Sequence, residues 1–142
     1  MRAKEYFQQI ALIEKKLKVL QAKLRHFEDL GLTITSNTSA VGGHQAGTSR
    51  VELASVGKVD AERDLRTRID AYLQQVSEAE TIIDQIHAEK YRQILTYRYL
   101  CGWSFSSISD ELRYKDPKSI YRAHGWALAE AQRIIDARFP TI

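Results

Sequence analysis

Four histidines (His26, His44, His87, His124), one cysteine (Cys101) and scattered serines are among the side chains able to act as nucleophiles, bases or metal ligands in this 142-residue chain. Their spacing assembles no reaction. There is no His-Glu-x-x-His run, no Gly-rich phosphate loop and no Cys/His pairing at ligand spacing. The lone Cys101 excludes an intrachain disulfide framework and a Cys-based zinc finger. His44 and Ser49 stand in a Gly/Ser/Thr-rich stretch and read as solvated loop residues. His124 lies four residues after Ile120 and four before Leu128, on or beside an apolar helix face, which suits a hydrogen-bonded structural imidazole. A non-enzyme without metal or cofactor is the expectation. The chemistry that remains is electrostatic. With 21 Lys+Arg against 18 Asp+Glu the net charge is only +3. Residues 1–87 carry 12 of each sign, whereas residues 88–142 carry 9 basic and 6 acidic residues, so the whole excess sits in the C-terminal third.

The elements that must position those cations are helical. Tyr6, Ile10, Ile13, Leu17, Leu20, Leu24 and Phe27 are spaced by alternating steps of 4 and 3, a heptad seam. No Gly or Pro interrupts residues 1–30, and Gly31 is placed to end the helix. A second seam of the same rhythm runs through Leu65, Ile69, Tyr72, Val76, Ala79, Ile83 and Ile86, with Asp60 as its N-cap. An antiparallel hairpin within the chain uses this pattern, and so does a coiled coil between two copies. Residues 31–57 hold five of the seven glycines and eight Ser/Thr without sustained period, which predicts a flexible linker or else a partner-binding segment. The domain division expected is therefore a coiled region over 1–87 and a separate unit over 88–142.

From Ala88 the texture changes. AEKYRQILTYRYL reads as an amphipathic helix, Cys101-Gly102-Trp103 as a break, and Ser104 as the cap of a short helix. Arg113-Tyr114-Lys115 is a second break, after which Asp116 offers an N-cap and Pro117 the first helical position. Helix, short helix, turn and helix is the helix-turn-helix order. Ile108 and Leu112 with Ile120, Ala127 and Leu128 would supply its buried faces, and Ile94, Leu95 and Leu100 a third wall. Trp103, Phe105, Tyr114 and Trp126 read as core and hinge packing. The surface left open at the start of the last helix carries Lys118, Ser119, Tyr121 and Arg122.

The run YRQILTYRYLCGWSFSSISDELRYKDPKSIYRAHGWAL resembles region 4 of the bacterial primary sigma-factor family. Within that superfamily it is similar to sigma-like regulators encoded by phages of Gram-positive bacteria, including late-transcription activators of the ArpU and RinA type. Arg50-Val51 and Tyr121-Arg122-Ala123-His124 match the short motifs of that layout. The resemblance implies that Lys118, Ser119, Tyr121 and Arg122 line the recognition-helix surface for double-stranded DNA. Arg122 would reach a guanine edge or clamp a phosphate, Lys118 would contact phosphate, and Lys115 and Arg113 would contact the backbone from the turn. The chain departs from the pattern at Arg113, where such turns usually have Gly, and the connection is one residue longer, which offers a way around glycine. Ser107 and Ser109 replace the family's acidic residue and small Ala.

The expected function is that of a phage or prophage transcription regulator that binds promoter DNA through an all-α fold. Host RNA polymerase is a further implied partner, and the heptad seams suggest a homodimer. A small-terminase-like DNA-packaging protein and a helical scaffold that binds no DNA are the alternatives. The N-terminus lacks a signal-peptide apolar stretch and no apolar run approaches the ~20 residues of a membrane span, so the bacterial cytoplasm is the expected location.

Overall fold

The computed structural model describes the backbone of residues 1–40 and 45–140 and the side chains of 1–31 and 57–140. The chain is all-α, with no strand among the described residues. Its helices are α1 (Ala3–Ala40), α2 (Gln45–Asp84), α3 (Glu89–Leu95), α4 (Phe105–Glu111) and α5 (Ser119–Arg138). A π-helical turn over Thr96–Leu100 continues α3. No helix is long and apolar enough to cross a membrane among the described residues.

Helix ends differ from those expected. Helix α1 runs past Gly31 to Ala40, and α2 starts at Gln45, well before Asp60. The stretch expected as a flexible linker is thus helical on both sides of residues 41–44, which lie outside the described residues with His44 among them. The side chain of Ser49 lies outside them too. The physical reason is the absence of proline. Gly, Ser and Thr each cost a helix at most about 1 kcal/mol, which weakens it without stopping propagation.

Two compact units form, one from Lys16–Leu73 and one from Met1–Lys15 together with Gln74–Ile142. The division cuts both long helices and does not fall at Ala88, where the charge changes and α2 gives way to α3. In the unit Lys16–Leu73, Leu17 and Leu20 of α1 and Leu65 and Ile69 of α2 are buried. Glu28 pairs with Arg66 at 3.0 Å and Gly31 lies against Lys58, so contacts step back along α2 as they advance along α1. The seams here are used within one chain, and a homodimer through the same residues would have to displace that packing.

The other unit contains two apolar clusters. The larger joins Tyr6, Phe7 and Ile10 of α1, Ile82, Ile83 and Ile86 of α2, Leu95 and Tyr99, and Ala127, Ala131 and Ile135 of α5. Small residues at 127 and 131, one turn apart, let the α5 backbone approach its neighbours closely. Phe7 is fully buried between Tyr6, edge-on at 5.2 Å, and Tyr99, stacked at 5.5 Å. Polar groups close around this core. Gln132 accepts from the Ala3 backbone N–H at 2.6 Å and donates to the Met1 carbonyl at 2.9 Å, which satisfies the start of α1. Tyr6 donates to Glu78 at 3.0 Å, and burial together with that partner pushes the phenol well above its ordinary range. Arg92 donates to the carbonyls of Ile86 and His87, at 2.5 and 2.9 Å, just past the end of α2.

The smaller cluster consists of Ile94, Ile108, Ile120 and Ala123, ringed by Tyr97, Trp103, Phe105, Leu112 and Tyr114. Leu95, Leu100, Ala127 and Leu128, expected in this same core, pack in or against the larger one instead. Helical geometry explains the split. Neighbouring residues Ile94 and Leu95 point about 100° apart, so one helix serves two cores.

Candidate nucleic-acid interface

Helix α4 begins as its sequence dictates. Ser104 is extended, and its Oγ accepts from the Ser107 backbone N–H at 3.1 Å. Its far end closes in a Schellman motif, with Tyr114 N–H on the Ser109 carbonyl at 3.0 Å and Arg113 N–H on the Asp110 carbonyl at 3.2 Å. That closure requires a left-handed residue, and Arg113 supplies it at φ +60°. The added residue in the connection therefore does not remove the demand for a glycine-like conformation, contrary to expectation. Ser109, standing where the resembled family has a small Ala, is buried.

The Asp116 carboxylate accepts from the Lys118 N–H at 3.0 Å, and its carbonyl from the Ser119 N–H at 3.0 Å. Asp116 thus caps the turn that leads into α5, with Pro117 in its first position, and regular helix begins at Ser119. Of the residues expected on this surface, Arg113, Lys115, Lys118, Tyr121 and Arg122 are exposed and Ser119 is half-buried. None of the four cations forms an ion pair with a described residue. Within α5 the first acid is Glu130, which pairs with Arg133 at 3.4 Å.

Two features escaped the sequence reading. Trp126, expected in the core, is 54% exposed, beside Arg122 by helical period, and Tyr121 is 60% exposed. The signal was there in the i, i+4 step from Arg122, but residue type outweighed it. Second, Phe105 is an aromatic hub. The Arg98 guanidinium lies 4.1 Å over its ring, Tyr121 is 5.0 Å away, and His124 meets it edge-on at 4.9 Å. Arg98 is itself held by the Trp103 carbonyl at 3.0 Å. Lys90 sits 5.1 Å over the Tyr114 ring, and Tyr97 stacks on Trp103 at 4.3 Å, which is the hinge packing expected of Trp103 and Tyr114.

His124 Nε2 lies 2.7 Å from the Tyr99 hydroxyl. Burial, then the positive charges of Arg98 and Lys4, push the imidazole down to about 4, so it is neutral at pH 7. Burial raises the Tyr99 phenol, which makes it a good donor to a neutral ring. Among the described residues no group of three His, Cys, Asp or Glu is placed to hold a metal. The arrangement offers a cationic, partly aromatic surface at the start of one helix, suited to binding an anion. Comparison with known proteins finds no matching family model, no matching curated protein and no matching solved structure.

Proposed function

We propose that the chain is a DNA-binding transcription regulator of the phage late-gene activator kind, with α4, the turn and α5 acting as a helix-turn-helix on promoter DNA. One observation carries the reading. Four exposed cations, Arg113, Lys115, Lys118 and Arg122, cluster in sequence on the turn and the first turn of α5, and none pairs with an acid among the described residues. Helix α4, locked at both ends by its caps and packed through Ile108 against Ile120, holds that first turn in place. A groove lined by phosphates is the anion such a surface fits, and the helix N-terminus adds its own positive field.

Selection of bound fragments from random duplex DNA by the purified chain tests the proposal. The expected result is an enriched motif, bound with an affinity that falls steeply with salt. No enrichment together with salt-independent or absent binding would overturn it and favour a helical scaffold.

A further inference from the structure

The exposed face of α5 continues beyond its cations. Tyr121 and Trp126 are two of the large side chains most open to solvent, at 60% and 54%. Between them on the helix surface is Gly125. A Cβ built at Gly125 would meet nothing within 4 Å, and its backbone is ordinary right-handed helix, so neither space nor conformation requires glycine there. Glycine in an exposed helix interior weakens the helix relative to alanine. The fold therefore carries a destabilising residue that its own packing does not use, flanked by two aromatic rings that its own packing leaves more than half exposed.

We infer that Tyr121, Gly125 and Trp126 form a second contact surface for duplex DNA, continuous with Lys118 and Arg122. Gly125 lets the α5 backbone approach the sugar-phosphate edge, while the two rings cover sugar carbons and thymine methyl groups. The inference rests on the DNA-binding reading and extends it from charge to close apolar contact. Charge selects the occupant. No acid lies on α5 before Glu130, which pairs with Arg133, and Asp116 is committed to capping. A polyanion is accommodated along the face from Lys118 to Trp126. Phe105, 5.0 Å from Tyr121, supports that ring from below and limits its freedom.

The test uses the full chain with Gly125→Ala, Tyr121→Ala and Trp126→Ala. Thermal melting is read beside fluorescence anisotropy on a labelled duplex, either the fragment selected by the wild type or, lacking one, a random-sequence 30-mer pool. Gly125→Ala is expected to raise the melting temperature by about 4 °C and to weaken DNA binding about tenfold. Opposite signs in the two readouts separate a contact residue from a structural one. Trp126→Ala and Tyr121→Ala are expected to melt within about 2 °C of the wild type and to bind about fivefold more weakly. A wild type that binds while all three variants bind equally well overturns the inference and leaves the DNA-binding reading intact. A Gly125→Ala chain that melts lower shows that the fold itself needs the glycine, which also overturns it. Variants with unchanged DNA affinity but altered sedimentation would give the face to a second copy of the chain, with the same consequence. A wild type that binds neither duplex removes both proposals together.

Discussion

Helix α5 is divided between two tasks, and its two halves show how differently a helix is built for each. From Ala127 to Ile135 the inward positions are buried against α1, α2 and the turn after α3, in the cluster that holds the fully buried Phe7 and Ile82. From Ser119 to Trp126 only Ile120 and Ala123 are buried, in a cluster of four residues ringed by half-buried aromatics. The first half is anchored by volume. The second is positioned by caps, one cation over a ring, and a small core, and it leaves most of its surface to solvent. Stability and proposed recognition are thus divided between two successive halves of a single element, with Ala123 and Ala127, the adjoining members of the two clusters, one turn apart.

The largest expected effect tests that separation. Phe7→Ala removes a fully buried ring from the larger cluster and is expected to lower the unfolding free energy by about 3–5 kcal/mol in urea titrations. Ile108→Ala in the smaller cluster is expected to cost about 2–3 kcal/mol, because half-buried rings around it can relax into the space. DNA affinity should respond in the reverse order, unchanged in folded Phe7→Ala and weakened in Ile108→Ala, which frees α4 from α5. A larger stability loss in Ile108→Ala than in Phe7→Ala would end the division of labour.

Next in size is the cationic surface. Arg122→Ala is expected to cost about 1–3 kcal/mol of DNA binding if the guanidinium reads a base, with relaxed sequence preference. Lys118→Ala is expected to weaken all sequences alike and to lower the slope of log affinity against log salt by about one. Neither should alter melting by more than about 0.5 kcal/mol, since both side chains are exposed. Anisotropy across several salt concentrations, beside melting curves, separates the two outcomes.

How far the sequence exposes this arrangement depends on the range of the physics involved. Periodic burial is local and legible. The steps of 4 and 3 through Tyr6, Ile10, Leu17 and Leu20, and through Leu65, Ile69, Val76 and Ile83, coincide with buried positions. The cap at Ser104 is legible for the same reason, whereas Asp116, expected as the N-cap of the last helix, closes only the turn before it and the helix itself begins at Ser119 after Lys118. Helix termination at Gly31 is not, because a glycine permits an end without enforcing one, and here its missing side chain makes room for Lys58. The split of the C-terminal residues into two clusters is also hidden, since it depends on α1 returning from the far end of the sequence. At the candidate site, exposure of Lys118, Tyr121 and Arg122 follows from the helical period. The Arg98–Phe105–His124 hub does not, because its members meet across a turn and a helix pair with no common repeat.

His124 connects the two regions, hydrogen-bonded to Tyr99 of the larger cluster and edge-on to Phe105 of the smaller. Its folded value near 4 lies below the ordinary 6.5, so the unfolded chain takes up the proton first as pH falls. The neutral ring's contribution is complete above pH 6.5, declines between 6.5 and about 4, and changes no further below that. Partial exposure of the ring screens the effect to about 1 kcal/mol. Wild type minus His124→Leu, compared by urea titration at pH 7.5 and 4.5, isolates it from the carboxylates. A difference independent of pH would show that the imidazole is not held neutral between the clusters.

The smallest expected effect concerns two residues that share one backbone conformation. Gly102, which follows the π-helical turn, has φ +73°, and Arg113, which follows α4, has φ +60°. Only the first is glycine. A Cβ in the left-handed region costs roughly 1 kcal/mol, partly offset by the lower entropy of a non-glycine residue in the unfolded chain. Arg113→Gly is therefore expected to stabilise the chain by about 0.5 kcal/mol and Gly102→Ala to destabilise it by about 1 kcal/mol, although the Cβ at 102 would meet no atom within 4 Å. The pair also bears on recognition, because Arg113 is one of the four exposed cations. If its charge serves DNA, Arg113→Gly melts higher and binds with a salt slope lower by about one, whereas Gly102→Ala melts lower with the slope unchanged. A strained arginine that, once replaced, improves stability and leaves binding untouched would remove the reason to count position 113 in the interface, and would confine the proposed cationic surface to Lys115 and the first turn of α5.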